Sequence, residues 1–98
     1  MTGPTEPAGT EDPLIRRKRL RLRAWRRGTR EMDLILGRYA DAMLGQLGPQ
    51  ELDLFEALLA VEDPALMDWV TGRVPPPPEF AALAATLARG ATIKSDSI

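Results

Sequence analysis

Residues 12–44 read DPLIRRKRLRLRAWRRGTREMDLILGRYADAML, two helical patterns separated by a single glycine. Asp12 is a good N-cap, and Pro13 at the first helical position gives up only a donor that would have been unpaired. From Pro13 to Arg27, Leu14, Ile15, Leu22 and Trp25 fall in one sector about 100° wide, with arginines over the rest. That spacing predicts a basic amphipathic helix with those four residues as its apolar side, ending or bending at Gly28. From Thr29 to Leu44, Met32, Ile35, Leu36, Tyr39 and Met43 share one face, with Glu31 and Asp33 in the first turn, where the helix dipole favours acids. Gly45 is the expected end of this second helix.

The same period continues downstream. After Gly48-Pro49, Leu52, Phe55, Leu58 and Leu59 recur at helical spacing, and Asp63-Pro64 repeats the cap-and-proline start for a short fourth helix carrying Leu66, Trp69 and Val70. Gly72 closes it. Pro75 to Pro78 enforce an extended spacer before a fifth helix from about Glu79 to Arg89, with Phe80, Leu83, Ala84 and Leu87 inward. Strand-like alternation is missing throughout. The expected fold is therefore all-α, a small single-domain five-helix bundle over residues 13–89, with flexible tails at 1–12 and 90–98.

With 98 residues the chain supports one thin core, and its 44 % apolar and 28 % charged content is ordinary for a globular domain. It has no cysteine and no histidine, which removes disulfides, thiol nucleophiles, the softer metal ligands and the usual general base near neutral pH. The expectation is a binding protein rather than an enzyme, with no metal site. No apolar run approaches the ~20 residues that cross a bilayer, and the N-terminus lacks a targeting pattern. This reads as a cytoplasmic chain.

The net charge of −1 conceals an asymmetry, because nine Arg/Lys and no acid lie between Leu14 and Arg30. Such a block is either the solvated face of a helix or a surface for an anionic partner. Phosphate binding is the competing functional class, a small basic-helix nucleic-acid-binding protein. Against it, the rest of the chain is acidic, and no helix carries the polar mixture that reads base edges. An anionic membrane is a weaker reading, because the apolar side of the first helix is narrow.

The junction Arg26-Arg27-Gly28-Thr29-Arg30-Glu31 crowds charges of both signs around a glycine that exposes backbone. It is either a contact point for a partner or a corner in which Arg27 pairs internally with Glu31. Here the sequence resembles a known family, the succinate dehydrogenase assembly factors that promote covalent flavin attachment. Their hallmark, Arg-Gly-x-x-Glu between the first two helices, is met by Arg27-Gly28-Thr29-Arg30-Glu31. The wider string RRGTREMDLILGRYAD (residues 26–41) is similar to bacterial members. So are Phe55-Glu56-x-Leu58-Leu59, Glu62-Asp63-Pro64 and Asp68-Trp69 in that order. Position 29, often methionine in the family, is threonine here.

The resemblance implies a factor that docks on the flavoprotein subunit of succinate dehydrogenase, and often of fumarate reductase, and helps that subunit attach FAD to itself; the factor is expected to be a monomer. It implies no stably bound cofactor. Arg26, Arg27, Gly28, Arg30 and Glu31 are the expected partner-binding residues: Arg27 and Glu31 as pairing charges, Gly28 as the point of close approach, Arg26 and Arg30 as rim charges that steer docking. A direct FAD carrier fits less well, since the chain lacks a glycine-rich phosphate loop.

Overall fold

A computed structural model describes residues 11–96. Five α-helices follow one another: α1 (Pro13–Trp25), α2 (Arg30–Met43), α3 (Pro49–Leu59), α4 (Asp63–Val70) and α5 (Ala81–Asp96). Short 3-10 turns occupy Leu44–Gln46 and Pro78–Phe80, and no strand occurs among the described residues. The all-α bundle expected from periodicity is the fold observed.

The local signals act as their chemistry requires. Asp12 Oδ1 accepts the Leu14 amide at 2.8 Å and caps α1. Thr29 Oγ1 accepts the Met32 amide at 3.4 Å at the start of α2. Before α3 the Gly48 amide donates to Glu51 Oε1 at 2.8 Å. After α4, Gly72 adopts φ +79, a left-handed turn that suits glycine.

α1 and α2 form the most extensive helix pairing, α5 packs on α2 and α4, and α3 supports α1. The largest fully buried side chains of the core are Leu20, Met32, Leu36, Phe55, Leu58 and Leu66, and no polar or charged side chain among the described residues is buried with them. Tyr39 packs on Phe55 with ring centroids 5.3 Å apart, and Trp69 stacks on Phe80 at 5.6 Å. Burial raises the Tyr39 pKa above its ordinary value. These aromatics are packing residues, as their helical spacing indicated.

Three expectations are corrected. The buried face of α1 is not Leu14, Ile15 and Leu22, which are 61 %, 57 % and 54 % exposed, but Leu20 and Ala24 on another side of the helix. Arginine stems flank that inward face, and their head groups reach acceptors on neighbouring elements, so a highly basic side packs inward. Next, α4 is preceded by Glu62 as N-cap, and Asp63 is its first residue. Its carboxylate is engaged elsewhere. Finally, α5 runs through Gly90 to Asp96, beyond the end expected at Arg89. The expected N-terminal tail lies outside the described residues over positions 1–10, while Glu11 is ion-paired to Arg19 at 2.7 Å.

Candidate functional site

Between α1 and α2 the chain turns through Arg26 to Thr29. Gly28 has φ +107, and a Cβ placed there would meet nothing within 4 Å. The glycine is required by backbone conformation, not by lack of room. Asp33 Oδ1, one turn into α2, accepts the Arg27 amide at 2.6 Å and the Gly28 amide at 3.3 Å. The first-turn acid thus neutralises both the helix end and the turn that precedes it.

Arg27 faces inward. Its side chain is 11 % exposed; Nε and Nη2 lie 2.8 and 2.7 Å from Asp63 Oδ1. Nη2 also donates to the Val61 carbonyl at 2.5 Å, and Nη1 donates to the Leu59 carbonyl. One guanidinium therefore satisfies carbonyls at the end of α3, where the dipole is negative, and the carboxylate that opens α4. It fastens the α1–α2 corner to the α3–α4 turn. The internal pairing of Arg27 with Glu31 is not what forms, and as a pairing charge for a partner Arg27 is already occupied.

The other expected residues stand outside. Arg26, Gly28, Arg30 and Glu31 are all exposed, and Thr29 with them. The side chains of Arg26, Arg30 and Glu31 make no hydrogen bond or ion pair among the described residues. The structure thus divides the five-residue set into one internal clamp and four groups free to meet solvent or a partner.

Most of the arginine block is also committed internally. Arg16 bridges Asp53 at 2.6 Å and Glu56 at 3.0 Å, and Arg19 bridges Glu11 and Glu56 at 2.7 and 2.9 Å. Arg19, with Arg16 behind it, holds the Glu56 carboxyl below the usual carboxylate range, and Arg19 does the same to Glu11. Their guanidinium pKa values rise in return. Arg17 donates to the Leu44 and Leu47 carbonyls, each at 2.7 Å, closing the turn after α2. Arg21 pairs with Asp41 at 2.8 Å.

Asp41 also accepts the Trp25 indole N–H at 3.3 Å, and Trp25 lies against Gly37, where an added Cβ would fall 2.2 Å from the ring. Gly37 is what lets α2 approach Trp25. Sequence reasoning missed Gly37, Asp33 as a turn acceptor, and Asp53, Glu56 and Asp63 as arginine partners. A glycine in the interior of a helix, where alanine would be better by about 1 kcal/mol, was the available signal for the first. The carboxylates lie 36 to 40 residues from their partners, and nothing local marks them.

Among the described residues no three His, Cys, Asp or Glu gather as metal ligands, and no helix is long and apolar enough to cross a membrane. The class defined is a small all-helical bundle whose distinguishing feature is a braced, charged glycine corner. Residues 18–90 match the family described as flavinator of succinate dehydrogenase, and the chain belongs to that family. A protein of Acetobacter pasteurianus named FAD assembly factor SdhE is 43 % identical over 72 residues, covering 72 % of this chain and 66 % of that protein. The protein of the same name from Coxiella burnetii is 39 % identical over 51 residues, 52 % of this chain and 62 % of its own length. The matches thus span a little under two thirds of these relatives.

Proposed function

We propose that this protein is an assembly factor that binds the flavoprotein subunit of succinate dehydrogenase, and that of fumarate reductase as a second client, and promotes covalent FAD attachment there. The observation that carries the reading is the braced corner. Arg26, Arg30 and Glu31 surround an open Gly28, on backbone held by Asp33 and by the Arg27–Asp63 clamp.

A rigid corner of this kind favours one arrangement of a multidomain partner. A binder that prefers the reaction-ready form by about 10⁴-fold moves a 1:99 population to 99:1. The factor supplies no nucleophile or base, holds no FAD of its own and acts as a monomer in the cytoplasm. Internal pairing of Arg16, Arg17, Arg19, Arg21 and Arg27 supports this reading over nucleic-acid binding, since those charges are engaged before any phosphate approaches.

The test mixes purified protein with each apo flavoprotein subunit and FAD, and follows covalent flavin by in-gel fluorescence. The parent should accelerate attachment, and Glu31→Ala should lose most of that stimulation with its melting temperature nearly unchanged. If the parent gives no acceleration, or if Glu31→Ala and Arg30→Ala both stimulate fully, the assignment is wrong.

A further inference from the structure

α1 is amphipathic twice over. Leu20 and Ala24 are buried, while Leu14, Ile15 and Leu22 form a second apolar stripe pointing to solvent. Val74 is the only other exposed large hydrophobic among the described residues, so three of four lie on one helix within a sector about 100° wide. Clusters of this kind on small proteins mark interaction surfaces. Lys18 sits within the stripe, one turn from both Leu14 and Leu22, and makes no ion pair among the described residues. Beside it a shallow groove of about 230 Å³ runs between α1 and α2.

The stripe continues into the corner. Leu22 precedes Arg26 by one helical turn, about 6 Å along the axis, and Leu14 lies about 12 Å further back. A stable protein interface takes about 800 Å² and 20 or more residues from each partner. The corner offers only Arg26, Gly28, Thr29, Arg30 and Glu31, too little for a specific complex. Interfaces also need an apolar centre inside a charged rim, and the corner is all rim. The large aliphatic side chains contiguous with it are those of the α1 stripe.

We propose that the outer face of α1 is the apolar half of the flavoprotein interface, laid as a ridge into a cleft on that subunit lined by aliphatic side chains and edged by carboxylates that meet Lys18 and Arg26. This rests on the proposed function and names what the partner must present. Leu14 and Leu22 are the anchors, in the manner of helices that dock through residues spaced by turns. The corner sets orientation. A second copy of this chain is disfavoured, because pairing two stripes about a two-fold axis through their middle would oppose Lys18 to Lys18.

The experiment measures binding of the apo flavoprotein subunit by biolayer interferometry for the parent, Leu14→Ser/Leu22→Ser, Lys18→Glu and Glu31→Ala, with melting curves beside them. The double serine variant should melt with the parent yet bind tenfold or more weakly. Lys18→Glu should slow association about three- to tenfold at low salt and less at high salt. Parent-like affinity in the double serine variant, with loss in Glu31→Ala, overturns the stripe and leaves the assembly function standing. No binding by the parent overturns both. Two further arms use anionic phosphatidylglycerol vesicles and sedimentation velocity. Vesicle flotation or self-association of the parent that disappears in the double serine variant reassigns the stripe to a lipid surface or a second copy, and overturns the proposal.

Discussion

Replacing Arg27 by methionine keeps the aliphatic stem and removes the guanidinium, which tests whether this motif residue is a clamp or a contact. The substitution deletes both N–H contacts to Asp63, at 2.8 and 2.7 Å, and uncovers the Leu59 and Val61 carbonyls. Breaking a fully buried pair costs about 3–5 kcal/mol, and each hydrogen bond to a charged group about 1.5–3. Arg27 is 11 % and Asp63 22 % exposed, so water recovers part of the loss. A net destabilisation of about 2–4 kcal/mol follows, or about 10–25 °C in a domain of this size. Asp63→Asn should cost less, because the carbonyl acceptors of Arg27 remain. The double variant should fall short of the sum of the singles, since they break the same pair. Thermal unfolding by circular dichroism is the assay. If Arg27→Met melts within about 3 °C of the parent, the clamp does not hold the corner and Arg27 returns to the list of partner contacts.

Three other perturbations bear on the same architecture. Gly28→Ala meets open space but must adopt φ +107, so it should lower stability by about 1–2 kcal/mol, a loss of roughly 5–15 °C in the same melt; unchanged melting would show that the turn relaxes. Gly37→Ala pushes a methyl into the Trp25 ring, and should both destabilise by about 1–3 kcal/mol and red-shift Trp25 emission, read in a Trp69→Phe background; a parent-like spectrum refutes the close approach. Glu56 titrates below its unfolded value because Arg19 and Arg16 bind its charged form. Its contribution is therefore present above the unfolded pKa, about 4.3, and lost as pH falls through the lowered folded value. Urea unfolding at pH 7 and pH 3 should show less acid loss in Glu56→Gln than in the parent, and equal losses would contradict the network.

Some of this protein was settled within a few residues at a time. The five helices, their starts at Asp12-Pro13 and Gly48-Pro49 and the left-handed end at Gly72 follow from periodicity and capping, which act over one or two turns. The motif Arg27-Gly28-Thr29-Arg30-Glu31 located the corner, and four of its expected site residues are exposed there. Which side of each element faces inward was decided by contacts far apart in the chain. Periodicity put Leu14, Ile15 and Leu22 inside, because a sequence pattern treats arginine as solvent-facing. In the folded chain Asp53 and Glu56 of α3 and the Leu44 and Leu47 carbonyls receive Arg16, Arg17 and Arg19. Leu20 and Ala24 turn inward as a result, and the larger aliphatic stripe is left outside. Arg27 changes role for the same reason, since Asp63 lies 36 residues away and nothing near Arg27 in sequence announces it. Charge type is written locally, but whether a charge is a contact or a clamp depends on which carboxylate the fold brings beside it.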